Sequence, residues 1–354
     1  MAESSLPHLA RQEQFRASIQ HIGLAGFVIN AGNNLEYMTG LRFDLMERPV
    51  VAFFVPGAPV TLVLPEFEAA RASACAFPVR LFAYGEDPST WGGVFAAAAQ
   101  ALGGLRGRLG VEARTLRVLE LRYLEQAAPD TVFETQDGLL SALRVIKDSG
   151  EIEKMQRAVD IAEQALLAFL PAVKIGVSES DLAAELTLQL LRAGSSPGVA
   201  FPPIVASGPN SANPHATPTA RSLQAGDMLV VDWGAAYQGY ISDLTRTFAV
   251  GEPEAEFPQI AQVVAQANQA GCAAAVPGAP AGGVDVAARA VIAGAGYGQY
   301  FLTRTGHGIG MDVHEDPYMF AQNATLLMPG MTFTVEPGIY IPGRGGVRIE
   351  DNVV

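Results

Sequence analysis

Cysteine is almost absent from this chain of 354 residues: Cys75 and Cys272 stand far apart, with no CxxC spacing. A disulfide framework or a catalytic thiol is therefore not expected, and both thiols read as small apolar residues. Basic charge is scarce as well. Lys and Arg number 23 against 36 Asp and Glu, a net charge of −13. That argues against a nucleic-acid partner, because phosphate binding needs clustered cations. No apolar run approaches the roughly 18 residues of a membrane-spanning helix, so no membrane role is expected. The opening segment, MAESSLPHLARQEQF, lacks a charged stretch followed by an apolar one. It carries no secretion signal, and a cytoplasmic location is the expectation. Histidine is rare too, at five residues: His8, His21, His215, His307 and His314.

What is present is ample apolar material, 49% of the chain, enough for two domains with good cores. The division falls near residue 145, giving domains over 1–144 and 145–354. The first alternates helix-like and strand-like segments: a helix over 9–22, a strand over 26–29, a hairpin of 50–55 with 60–64, a helix over 91–102 and a strand over 109–112. Its glycine-rich stretch GGLRGRLG (103–110) precedes a strand and opens no helix, so it reads as a loop and not as a phosphate cradle. The second domain opens on a long amphipathic helix. Asp148 caps it with Glu151 completing a capping box, and it runs to about 169 before Pro171. Ser178 with Asp181 marks a second helix start and Gly194 its stop. Helices over 257–275 and 284–293 follow. A helix-then-hairpin order thus occurs twice, which suggests a pseudo-twofold arrangement with a site between the halves.

Three segments of the last third carry the chemistry. MLVVDWGAAYQGYISDLTRTF (228–248) reads as a strand ending at Asp232, a turn, and a returning strand over 240–248. Its period of two puts Asp243, Thr245 and Thr247 on one face, so Asp232 and Asp243 can meet across the ladder. TGHGIGMDVHEDP (305–317) surrounds His307 with glycines at 306, 308 and 310, which permit close backbone approach; His314 follows. MTFTVEPGIYIPGRGGVRIED (331–351) places Thr332, Thr334 and Glu336 on one strand face, and Arg348 with Glu350 on one face of the return strand. Alone, an Asp–turn–Asp hairpin is ordinary turn chemistry, and a lone His in a glycine-rich loop is ordinarily a satisfied polar residue. Together they differ. Four carboxylates buried as a group are prohibitively unfavourable without cations unless most are protonated. Asp232, Asp243, His307, Glu336 and Glu350 therefore read as ligands for two divalent cations. The hard, oxygen-rich donor set suits Mn²⁺ or Co²⁺, with Zn²⁺ possible.

These segments resemble the metallopeptidase family of Xaa-Pro aminopeptidases, Xaa-Pro dipeptidases (prolidases) and methionine aminopeptidases, over about 145–351. The resemblance implies an α+β architecture: a C-terminal pita-bread catalytic domain behind a smaller mixed α/β creatinase/prolidase N-terminal domain. NNLEYMTGLR (33–42) is similar to that N-terminal domain, which favours the proline-directed members. The resemblance makes Asp232 a chelator of one metal, Asp243 and Glu350 the bridging acids, and His307 and Glu336 the ligands of the second metal. Glu336 would also act on the attacking water. His215, in FPPIVASGPNSANPHATPT (201–219), and His314 would face the substrate and donate to the developing oxyanion. Arg348 either holds Glu350 in place or binds substrate. The implied activity is dinuclear-metal hydrolysis of peptide bonds to proline, with an Xaa-Pro dipeptidase expected first. The alternative is an aminopeptidase P or another proline-specific exopeptidase; Thr303 stands where aminopeptidase P relatives often place a further histidine. A metal-free binding scaffold or a creatinase-like hydrolase on the same fold is the non-peptidase alternative, and either would be expected to have lost several ligands. Proline-containing peptides are the implied partners and a homodimer the implied assembly.

Overall fold

The structure, a computed structural model, describes residues 7–197 and 199–354. The chain divides into two units at Leu143/Arg144.

The first unit contains α1 (Pro7–His21), β1 (Gly26–Asn30), α2 (Asn33–Thr39), β2 (Val51–Phe54), β3 (Val60–Pro65), α3 (Ala69–Ser73), β4 (Val79–Tyr84), α4 (Pro88–Ala101), β5 (Gly107–Val111), α5 (Val118–Ala127), β6 (Thr131–Thr135) and α6 (Asp137–Arg144), which ends at the boundary. Its six-stranded sheet runs in the order β4-β3-β2-β1-β5-β6. The β1–β2 and β2–β3 pairs are antiparallel, and β1–β5, β5–β6 and β3–β4 are parallel. Central strands β1, β2 and β3 are buried along their whole length, as continuous apolar runs predict. The edges β4 and β6 are half-exposed and carry no comparable apolar run, which is why sequence periodicity passes over them. Asp87 caps α4 by accepting the Ser89 N–H (3.0 Å), with Pro88 in the first turn.

The second unit opens on α7 (Ser149–Phe169) and α8 (Glu179–Ala193). The Asp148–Glu151 capping box is closed in both directions at 2.8 Å. Ser178 Oγ accepts the Asp181 N–H (3.1 Å), and Gly194 ends α8 at φ 105°. Leu182, Leu186 and Leu190 recur every four residues on one face of α8 and are fully buried. Each contributes roughly 1.5–3 kcal/mol by leaving water. They pack with Ile161 and Phe169 of α7 on Leu229, Val231 and Trp233.

Those last three belong to β8 (Met228–Trp233), the middle strand of a sheet ordered β11-β8-β7, with β7 (Ile204–Ser207) and β11 (Leu244–Ala249) outside it. The returning arm is not the single strand over 240–248 that the alternation predicts. It breaks at Ser242–Asp243: β10 (Tyr240–Ile241) pairs with β9 (Ala236–Tyr237), and β11 alone pairs with β8. The cause is side-chain competition for the backbone. Asn352 accepts the Asp243 N–H (3.1 Å) and donates to its carbonyl (2.7 Å), while Ser242 Oγ takes the Ala235 N–H (3.1 Å).

After α9 (Phe257–Ala274) and α10 (Ala281–Gly294) come β12 (Gly306–Gly308), β13 (Glu315–Met319), β14 (Phe333–Val335), the hairpin of β15 (Gly338–Ile341) and β16 (Gly345–Arg348), and β17 (Asp351–Val353). The sheet order is β13-β12-β14-β17. Here too the return arm changes partner: β16 pairs with β15, β17 with β14, and Glu350 between them bridges to Thr245 of β11. Among the described residues, no helix is long and apolar enough to cross a membrane.

The glycines of β12 are there for want of space. A Cβ on Gly306 would stand 1.9 Å from the Thr334 carbonyl oxygen, and one on Gly308 would stand 2.2 Å from that of Asp316. Gly306→Ala is expected to force β12 off β14 and to destabilise the protein by about 1–3 kcal/mol or more, the usual range for overpacking. Thermal unfolding with and without added Mn²⁺ measures this; an unchanged Tm would mean the strands separate at no cost.

Candidate metal centre

The two breaks in the strands aim the acids. In β8, Asp232 lies opposite Thr245 of β11, and Asp243 sits just before β11 where the ladder has opened. Glu350 sits in the other break, held through its backbone to Thr245 (3.1 Å). Its Oε2 accepts the Thr245 hydroxyl at 2.7 Å. Glu336 follows β14, and its Oε1 accepts from Thr334 Oγ (3.2 Å). The same Thr334 oxygen accepts the His307 N–H at 3.2 Å, so one hydroxyl sets the relative position of two candidate ligands.

These side chains converge. Ligand atoms of Asp243, His307 and Glu350 lie within 4.8 Å of one another. His307 Nε2 stands 3.3 Å from Glu336 Oε1 and 3.7 Å from Asp243 Oδ2. Asp232 is close enough to Asp243 for its charge to act on that carboxyl. His307 Nδ1 lies 3.1 Å from the Gly308 carbonyl, which can only accept, so Nδ1 carries the proton and Nε2 presents its lone pair to the acids.

Electrostatics describes a cluster short of positive charge. Burial pushes the Asp243 and Glu350 carboxyls well above their ordinary range, and repulsion from the neighbouring acids adds to it. Burial raises Glu336 to about 7 and also raises Asp232, the latter against the pull of Arg348. Burial, helped by His314, lowers His307 to about 3, so the imidazole is neutral. Two buried oxygens, Asp232 Oδ1 and Glu350 Oε1, have no hydrogen-bond partner. Raised carboxyls, a neutral imidazole with its lone pair turned inward and two orphaned oxygens are what divalent cations would satisfy. The donor set fits them.

Arg348 is 3% exposed and engaged on every side. It donates through Nη2 to Asp232 Oδ2 (2.5 Å), through Nε to Thr245 Oγ (3.0 Å), and through Nη1 to the Tyr340 hydroxyl (2.9 Å) and the Pro214 carbonyl (3.1 Å). The acid it grips is Asp232, not Glu350. Tyr340, four residues after Glu336 and 1% exposed, was passed over in the sequence because an aromatic in an apolar strand reads as core. His314 meets His307 edge-on with ring centroids 4.2 Å apart, and its side is open to solvent. His215 is exposed, one residue past the carbonyl that Arg348 holds. His8 and His21 lie in the first unit.

The loop bearing His314 is fastened from below. Glu315 accepts the N–H groups of Met311 (2.8 Å) and Asp312 (2.9 Å) and is paired with Arg144 and with Lys147 Nζ (3.1 Å). Nothing in the motif reading singled out this buried ion cluster. Its members are spread over 171 residues of sequence.

Comparison with known proteins agrees with this architecture. Residues 153–354 match metallopeptidase family M24, and residues 11–146 match the creatinase/prolidase N-terminal domain. The probable dipeptidase PepE of Mycobacterium tuberculosis is 39% identical over 349 residues, covering 96% of this chain and 89% of the relative. An Xaa-Pro dipeptidase of Lactobacillus delbrueckii subsp. lactis is 34% identical over 94% of this chain and 90% of its own. The crystal structure of a prolidase from Thermococcus sibiricus superimposes with a TM-score of 0.93 at 34% identity, covering 99% of this chain and 95% of that one. With both units matched and the likeness running through nearly the whole length, the chain belongs to metallopeptidase family M24, behind a creatinase/prolidase N-terminal domain.

Proposed function

We propose that this protein is a metal-dependent exopeptidase that hydrolyses peptide bonds to proline, and that it is an Xaa-Pro dipeptidase. The observation that carries the reading is the near full-length likeness to proteins named Xaa-Pro dipeptidase and prolidase, in a chain that also holds the five candidate ligands read from its sequence. Asp232, Asp243, His307, Glu336 and Glu350 would hold two divalent cations, and the oxygen-rich donor set favours Mn²⁺ or Co²⁺ over Zn²⁺. The cations, when bound, supply polarisation of the scissile carbonyl and an activated water.

The chain's own groups do the rest. Glu336 takes the proton of the attacking water and passes it to the leaving nitrogen. His215 and His314 donate to the carbonyl oxygen as it becomes an oxyanion. Arg348 holds Asp232 in register, not the Glu350 expected from the sequence; its engagement with protein acceptors favours a holding role over substrate binding. Proline suits such a site because an Xaa-Pro bond has no N–H, so recognition rests on ring shape and chain termini. A metal-free scaffold or a creatinase-like hydrolase would leave four buried candidate ligands, Asp232, Asp243, His307 and Glu350, and two orphaned oxygens without a purpose. We further infer a cytoplasmic homodimer acting on small proline-containing peptides, as the family likeness implies.

The test is hydrolysis of Ala-Pro, Ala-Pro-Ala and Ala-Pro-amide by the Mn²⁺-loaded protein. Ala-Pro should be cleaved fastest, and amidation should cost about 1.5–3 kcal/mol in kcat/KM, the worth of a charge-assisted hydrogen bond to the carboxylate. Faster cleavage of the amide or the tripeptide would overturn the dipeptidase assignment and leave the metallopeptidase standing. No cleavage of any of the three would overturn both.

A further inference from the structure

A dipeptidase must hold the free carboxylate of its substrate, and Arg348, the cation nearest the acids, is already bound to four protein groups. The other cations of this region are engaged too. Arg246 pairs with Asp351 (2.7 Å), and Arg144 and Lys147 are paired with Glu315. Arg304 differs. It lies three residues before His307, is exposed, and among the described residues has no carboxylate within ion-pair distance.

Its position is nevertheless defined. The guanidinium carbon lies 4.3 Å from the centroid of the Tyr318 ring. Tyr318 is the register partner of His307 in the antiparallel β12–β13 pair. Directly opposed residues project from the same face of a sheet, so Tyr318 and the His307 imidazole share that face, with Arg304 laid over the tyrosine. His314, edge-on to His307, completes the group.

The backbone on both sides of Arg304 is tied to α10. Arg289 donates to the carbonyls of Phe301 (3.0 Å) and Thr303 (2.8 Å) and is itself held by both oxygens of Asp285. Asp285 Oδ1 in turn accepts the Thr305 N–H (3.1 Å) and hydroxyl (2.7 Å). A guanidinium stacked on an aromatic and carried on a fixed backbone loses little freedom on binding, and its planar fork matches a carboxylate.

We propose that Arg304, laid over Tyr318, binds the carboxylate of the substrate's proline and thereby selects dipeptides over longer peptides. The inference rests on the reading of this centre as an Xaa-Pro peptidase. It is tested with Mn²⁺-loaded wild type, Arg304→Gln and Arg304→Lys, each assayed on Ala-Pro and Ala-Pro-amide after Tm has been compared. Arg304→Gln should raise KM for Ala-Pro by roughly 10–100-fold, the loss of a charge-assisted contact. The loss on the amide should be at least tenfold smaller, so the preference of wild type for the free carboxylate collapses, and Arg304→Lys should recover part of it. Undiminished preference in Arg304→Gln overturns the proposal, as does an equal fall in kcat on both substrates, which would mark a structural role. If wild type itself cleaves neither substrate, the functional reading has failed before Arg304 is in question.

Discussion

Glu336→Gln should lower kcat/KM for Ala-Pro by about 10³-fold or more, because in the proposed mechanism the change removes both a general base and a ligand charge. General bases contribute about 10²–10⁴-fold by themselves. His307→Ala should be equally damaging: Nε2 of that ring points at Glu336 and Asp243, and among the described residues no other imidazole nitrogen has this place. Both variants should stay folded, since Thr334 and the β12–β14 pairing hold the strand without the ring. His215→Ala and His314→Ala should be milder, about 10²–10³-fold in turnover, if each supplies one oxyanion donor. Steady-state kinetics with metal content measured alongside separates these outcomes. Retained activity of His307→Ala at ordinary metal concentrations would sink the two-metal assignment, and unchanged turnover in the two other histidine variants would return them to the surface.

Removing the metals should make stability fall as pH rises, which is the opposite of ordinary acid denaturation. The sign follows from which state holds more protons. In the metal-free fold Glu336 titrates at about 7, and Asp243 and Glu350 lie well above the usual carboxylate range, whereas an unfolded chain releases these protons near 4. Between those limits these acids bind more protons in the folded state than in the unfolded one. His307, lowered to about 3, works the other way below about 6.5. The raised acids outnumber it and continue to cost stability above that, so from pH 5.5 to 8 stability declines. For Glu336 alone the loss is roughly 3 kcal/mol by about pH 8. Bound cations replace the protons and abolish the decline. Chelated protein should therefore melt lower at pH 8 than at pH 5.5, added Mn²⁺ should raise Tm most at pH 8, and titration calorimetry in buffers of different ionisation enthalpy should show protons released on binding. Glu315 does not confuse the window. Its carboxyl is held below the usual range by Arg144 and Lys147, so its contribution is lost only as pH falls below about 4.5. Chelated protein equally stable at both pH values would mean the acids are not sharing one buried site.

How much of this could be read in advance follows the range of each interaction. The Asp148–Glu151 box, the Ser178 cap and the Gly194 stop are settled within four residues, so they are legible wherever such residues stand in line. The close approach at Gly306, Gly308 and Gly310 was legible for a related reason, since three small residues around one histidine leave room for little else. The candidate ligands stood out because acids on half-buried strand faces conflict with hydrophobic patterning, and such conflict marks function.

The two strand breaks were illegible. A period of two continues unbroken through Ser242–Asp243 and Ile349–Glu350, and the distant amide of Asn352, the Ser242 hydroxyl and the bridge between Thr245 and Glu350 interrupt the ladder. Those breaks turn Asp243 and Glu350 toward His307. The same holds for Arg348, whose place beside Asp232 depends on partners spread over 134 residues of sequence, and for Glu315 with Arg144. Local chemistry therefore marked the candidate ligands, the caps and the tight glycines, while the assignment of each basic side chain to its acid and the aim of each carboxylate came from long-range packing. Hydrogen bonds and ion pairs between distant residues carry no imprint of their partner in their own stretch of chain, so only the folded molecule says which of them close.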